Sequence, residues 1–274
     1  GSKKGKDEII AMTSSFHGRT IGALSVGSNK KYKSNIGPVP GKVKFCKFND
    51  VSHLKKLVNK KTVAIIIEFV QGDGGINICS KKFAKAINEI CKNKKILLIG
   101  DEIQGGIGRT GKIFAYKHYG VNPDIITSAK GLGSGIPIGA TIVKKYISKI
   151  ISTGFHGSTF GGGMLQTRVS YNVFKAINTK SFLNKVIING KYLSNLLKKI
   201  HIDHKDKIID TRCLGLMAAI EFKTNEIASK TYDKISKNGL ITTLIQGNII
   251  RITPPLIINQ KELKKGLTII SKIL

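Results

Sequence analysis

The chain has 274 residues, 41% of them hydrophobic, and a formal charge of +30 at pH 7. That length suits a folded protein with a substantial core, and the sequence holds no run of 18 apolar residues to span a bilayer, so no membrane association is expected. The charge does not argue for specific nucleic-acid binding, because 41 lysines spread from end to end stand against only 5 arginines, whereas base-edge and phosphate recognition favours clustered arginine forks; only nonspecific adhesion to polyanions in dilute salt is expected.

Taken in chain order, DEIIAM at 7–12 predicts a strand that ends in the polar loop TSSFHGRT, where Phe16, His17 and Arg19 sit. VKFCKF at 43–48 predicts a second strand, with Asn49-Asp50 capping an amphipathic helix that runs to about residue 59. VAIIIEFVQGDGG at 63–75 is a continuous apolar run, the pattern of a parallel strand buried on both faces, and it opens into a tight loop with two carboxylates, Glu68 and Asp73. Ser80 can cap the next helix, KKFAKAINEICKNK, in which Phe83, Ile87, Ile90 and Cys91 recur at helical spacing. ILLIGDEIQGGIGRTG at 96–111 predicts a buried strand running into Asp101-Glu102, an acidic pair that is costly there unless it meets a cation or a metal.

Residues 125–127 then predict a short buried strand that delivers Lys130 into a glycine-rich loop. Gly131, Gly133 and Gly135 let backbone come close to a flat ligand. A solvated lysine in a turn is the other reading, so Lys130 has to be promoted by its company. From about residue 182 the pattern changes to an amphipathic helix, FLNKVIINGKYLSNLLKKI, shorter strands at 215–222 and 249–252, and a last helix at 260–273. These divide the chain into a large domain, 1–181, and a small α+β carboxyl-terminal domain, 182–274.

Alternating strands and helices predict an α/β architecture: a three-layer, mostly parallel sheet with helices on both faces. Ligands of such sheets sit beyond the carboxyl ends of the strands, which places the Arg19 loop, the Asp73 loop, Asp101 and Lys130 on one rim. The four cysteines, Cys46, Cys79, Cys91 and Cys213, lack CxxC spacing. They read as free thiols in a reducing cytoplasm rather than as a disulfide framework or a zinc site. With no secretory pattern at the start, a cytoplasmic location is expected. His201 and His204 have HxxH spacing but no third ligand, and no metal site is read there.

FHGRT, QGDGG, GDEIQGGIGRTGKIFAYKHYGVNPDIITSAKGLGSGIPIGA, HGSTFGG and IIRITPPLII occur in that order over residues 7–274. Together they resemble the class III, fold-type I pyridoxal-phosphate aminotransferases of the acetylornithine type. The resemblance implies pyridoxal 5'-phosphate as cofactor, with Lys130 as the lysine that takes its aldehyde and Asp101 as the partner of its ring nitrogen. It further implies Gln104 beside the ring hydroxyl, Phe16 on the ring face with His17 next to it, and Thr159 at the cofactor phosphate of a neighbouring subunit in a homodimer that shares its active site. Arg19 would clamp the substrate α-carboxylate. Arg251 would bind a carboxylate and pair with Asp73, which is one methylene shorter than the glutamate usual there. The role of Glu68 stays open, and Arg109 and Arg212 read as structural.

The implied reaction moves the terminal amino group of N-acetylornithine to 2-oxoglutarate. Transamination of ornithine, succinyldiaminopimelate or 4-aminobutyrate is the near alternative, and a truncated, non-catalytic remnant the distant one. The family's amino-terminal region, with a Gly-Thr loop for the cofactor phosphate, is expected to lie upstream of residue 1. Gly1-Ser2 read as a cloning scar or as native sequence. Two further departures from the pattern are Phe69, where proline is usual, and Gly163-Met164, where Asn-Pro is usual.

Overall fold

The structure is a computed structural model that describes residues 5–274, so Gly1-Ser2 lie outside the described residues. Strand β1 (Glu8–Met12) leads through helix α1 (Ile21–Val26) to β2 (Lys42–Cys46), α2 (Val51–Leu57) and β3 (Thr62–Ile67). A short hairpin of β4 (Val70–Gln71) and β5 (Asn77–Ile78) precedes α3 (Lys81–Lys94), β6 (Leu97–Asp101) and β7 (Ile125–Ser128). The six-stranded sheet has the order β2-β1-β3-β6-β7-β8, parallel except for its edge strand β8 (Ala140–Val143), which returns antiparallel to β7. Parallel neighbours put the carboxyl ends of β1, β3, β6 and β7 on the same edge.

Helix α2 starts where Asp50 accepts from the His53 amide, and α3 where Ser80 accepts from the Phe83 amide, so each cap satisfies an otherwise orphaned donor. Phe83, Ala84, Ile87 and Cys91 of α3 pack on Ile10, Met12, Ile65, Ile67 and Leu98 of the sheet. The apolar run at 63–75 is therefore not one strand. It stops at Ile67, and the chain folds back through the glycines, burying Ile76 completely and returning the Cys79 amide to the Phe69 carbonyl.

After α4 (Lys145–Ser148), helix α5 (Met164–Ile177) carries Phe174 and Ile177 against Ile107, Ile113, Phe114 and Ile126. Helix α6 (Lys180–Asp203) begins two residues before position 182. It leads to β9 (Ile208–Leu214), β10 (Met217–Phe222), α7 (Asn225–Lys237), β11 (Thr243–Ile245), β12 (Ile249–Ile252) and α8 (Gln260–Ile273). Here the sheet is antiparallel, in the order β11-β12-β10-β9. Along β10, Ala218, Ile220 and Phe222 face a core with Val186, Leu193 and Leu197 of α6 and Leu263, Leu267 and Ile270 of α8. The alternate residues Met217 and Ala219 turn the other way and bury Val70 and Ile76 with Ile249. The QGDGG turn is thus clamped between the two sheets.

Candidate active site

Four strand ends supply the rim. The segment after β1 carries Phe16, His17 and Arg19; the one after β3 carries Glu68 and Asp73; β6 ends at Asp101; and Lys130 follows β7, with its backbone at φ 47°. Arg251 comes from β12 of the other sheet, opposite Ala219. Lys130, Gln104 and Arg251 line a common cavity of about 240 Å³ together with Ile103, Ile107 and Met217. Phe16 and Asp73 instead line a larger neighbouring cavity of about 500 Å³ with Tyr32 and Gln246.

Asp101 is buried and fully engaged on one oxygen: Oδ1 accepts from the Ile103 amide at 3.1 Å and from the Thr127 hydroxyl at 3.1 Å. Oδ2 lies 2.7 Å from His17 Nδ1. An ionised carboxylate has about four acceptor positions, so three are used and one on Oδ2 remains. Among the described residues, His17 Nε2 is buried without a partner. This arrangement can hold a carboxylate in fixed orientation and present one acceptor to a protonated ring nitrogen. Thr127 could be assigned only once β6 and β7 were in register, where it lies beside Asp101.

The acidic pair at 101–102 divides between two jobs. Glu102 is fully buried and forms no ion pair among the described residues; its oxygens accept from the Ala115 amide at 2.6 Å and the Tyr116 amide at 2.9 Å. Burial pushes its carboxyl up to about 7, against the pull of those two amides. Backbone donors, rather than the counter-charge expected from the sequence, balance this acid.

Arg251 Nη1 is 2.6 Å from Asp73 Oδ1, so the shorter acid reaches the arginine. Gln104 joins them, donating from Nε2 to Asp73 Oδ2 at 3.1 Å and accepting at Oε1 from Arg251 Nη1 at 3.4 Å. Gly72 leaves room for this amide: a Cβ there would fall 2.0 Å from Gln104 Oε1 and push the Gln104 side chain out of its contacts. Lys130 is exposed, yet desolvation of its amine lowers its pKa; Asp73 opposes this, Arg251 reinforces it, and Asp101 and Glu68 oppose it. A lysine with a lowered pKa beside an exposed cavity has more of the neutral amine that a nucleophile needs.

Two of the sequence-selected residues stand apart. Arg19 is exposed, its guanidinium 4.0 Å from the Tyr32 ring centroid and 5.9 Å from that of Phe16. Thr159 lies exposed between Phe155 and Phe160, which are 73% and 85% exposed. Arg109 donates to the Leu216 and Pro254 carbonyls, and Arg212 pairs with Glu221 and Asn77, so both tie elements together.

The comparisons with known proteins agree in class. The chain is 41% identical to the acetylornithine aminotransferase of Methanocaldococcus jannaschii over 258 residues, covering 93% of this chain and 64% of that protein. It is 38% identical to ornithine aminotransferase 1 of Staphylococcus saprophyticus, covering 97% of this chain and 67% of the relative. The chain thus spans about two thirds of the length of these curated relatives. Among solved structures, the ornithine aminotransferase of Toxoplasma gondii superposes with a TM-score of 0.92 at 29% identity, covering 98% of this chain and 64% of that one. The sequence model of the family described as Aminotransferase class-III matches residues 1–274, and the chain belongs to that family.

Proposed function

We propose that the chain carries out pyridoxal-phosphate-dependent transamination, moving the terminal amino group of N-acetylornithine to 2-oxoglutarate. The observation that carries the reading is the placement of Lys130 at the end of β7 beside β6, whose last residue, Asp101, is held by His17, Thr127 and the Ile103 amide. The residues present suit that cofactor: an amine with a lowered pKa, a carboxylate with one open acceptor, and a buried His17 Nε2 without a partner. When bound, the cofactor supplies an aldehyde and an electron-withdrawing ring.

In this reading Lys130 Nζ would hold the cofactor at its aldehyde and would move the proton to and from the carbon that bears the transferred amino group. Asp101 keeps a proton on the ring nitrogen through its remaining acceptor. Phe16 covers the ring face, His17 fixes Asp101, and Gln104 keeps one amide hydrogen for the ring hydroxyl while the other serves Asp73. Arg19 and Arg251 receive substrate carboxylates, Arg251 on release from Asp73. Thr159 reaches the cofactor phosphate of a second copy, and the exposed Phe155, Phe160, Met164 and Leu165 near it are the surface that copy would cover. The cavity-lining groups accept ornithine, succinyldiaminopimelate or 4-aminobutyrate by the same chemistry, and relatives named for ornithine and succinyldiaminopimelate keep those donors in view. The domain division at 181/182 and a cytoplasmic location, supported by four free cysteines, belong to the same proposal.

The test is absorption with added pyridoxal phosphate. A visible band that is lost in Lys130→Ala and bleached by acetylornithine supports the reading. No band at saturating cofactor refutes it.

A further inference from the structure

Glu68 is 3% exposed and takes no part in the reaction just described. Its two oxygens serve two different segments: Oε1 accepts from the Phe16 amide at 2.8 Å, and Oε2 from the Gly72 amide at 3.1 Å. Phe16 precedes His17, the partner of Asp101, and Gly72 precedes Asp73, the partner of Arg251. A group with two acceptor oxygens and no donor is what two facing N–H groups require. An amide there would turn an NH2 toward one of them, and an apolar side chain would orphan both.

The same two segments also meet elsewhere. Gln71 Nε2 donates to the Thr13 carbonyl at 2.7 Å, and a Cβ on Gly74 would lie 2.3 Å from the Ser14 carbonyl. These contacts involve only neutral groups. Glu68 is the ionisable tie, and the titratable groups facing it are His17 from the first segment, Asp101 from β6 and Lys130 after β7. Burial pushes its carboxyl up to about 7, with His17 pulling down, Asp101 pushing up, and the two amides pulling down.

We infer that Glu68 is a positioning residue that locks the segment presenting Phe16 and His17 to the segment presenting Asp73, so that the ring-face side and the carboxylate-gate side of the site shift together. The inference rests on the transaminase reading of the rim, but its test does not need turnover. In 15N–1H spectra of the full chain without ligand, the Phe16 and Gly72 amides should move together along one titration curve near pH 7, downfield as the carboxylate forms. Asp73→Asn, which disturbs the Gly72 side, should shift the Phe16 amide in the otherwise unchanged chain and leave it unmoved when combined with Glu68→Gln. Glu68→Gln, whose NH2 has to face one of the two amides, should speed solvent exchange at that amide roughly tenfold or more, the scale of a lost charge-assisted hydrogen bond, while its remaining oxygen holds the other. Glu68→Asp, charged but shorter, should free one amide and hold the other.

Amides that titrate separately, or a Phe16 amide indifferent to Asp73→Asn, would overturn the coupling. If Glu68→Gln fails to fold, the titration of the unaltered chain and the Asp73→Asn shift still decide. Separate titration would leave the Lys130 chemistry standing, and a missing cofactor band would leave the coupling standing.

Discussion

The rim of the parallel sheet and the segment from Ile150 to Tyr171 are built in opposite ways. On the rim, Glu68, Asp73 and Asp101 each take at least two donors from the chain itself. In the other segment Ile150, Phe155, Phe160, Met164 and Leu165 stand 64% to 89% exposed, with Thr159 among them. Apolar groups left this exposed over one continuous stretch mark a surface that something else covers. One half of the proposed site is completed by the fold; the other half is the surface that the proposed second copy would cover.

The largest effect that breaks this contrast lies on the rim. Lys130→Ala should abolish both the visible cofactor band and amino transfer, since among the described residues Lys130 is the lysine that lines the cavity beyond β7. Asp101→Asn should retain cofactor binding in part and lower turnover by roughly 10²–10³-fold, the scale of one preorganised electrostatic contact, as read by steady-state kinetics. On the other segment, Phe160→Asp should leave the fold intact, shown by an unchanged circular dichroism spectrum, and shift the chain to monomer in sedimentation. A dimer unaffected by that charge would mean the exposed segment is not the interface.

A smaller effect concerns pH. Glu68 and Glu102 titrate near 7 in the folded chain, above the ordinary 4.5, so between those values the folded state binds more protons than the unfolded one. Stability should therefore fall as pH rises from about 4.5 to about 7 and level off above, a drop of several degrees in thermal midpoint. The lowered carboxylates Asp7, Glu8, Asp50 and Glu226 act below that window, where stability falls as pH drops. A midpoint that rises steadily from acid to neutral pH would contradict the burial of the two glutamates.

Strands β1, β3, β6 and β7 were legible because each is a short apolar run closed by a turn or a charge, and α8 because Leu263, Leu267 and Ile270 repeat on one face; its capping box of Asn259 with Glu262 emerges only in the structure. The β4–β5 hairpin was not, since Val70 extends the apolar run that in fact ends at Ile67. Helix α5 was missed for a different reason: among its residues Met164, Leu165 and Tyr171 point outward, so the helical period of a buried face is absent. For the site, residue types gave Lys130 and Asp101, but the His17–Asp101 contact spans 84 positions and appears only once β1, β3 and β6 are set side by side. Glu68 gave no signal of its two amides, because backbone donors leave no trace in side-chain identity.

That one lysine among 41 is placed for chemistry is the core of the proposed function. It is tested most directly by reducing the chain with borohydride in the presence of pyridoxal phosphate and mapping the labelled peptides by mass spectrometry. The expected result is a single dominant site at Lys130, with label suppressed by acetylornithine. Label spread over surface lysines, with Lys130 no more modified than its neighbours, would contradict it.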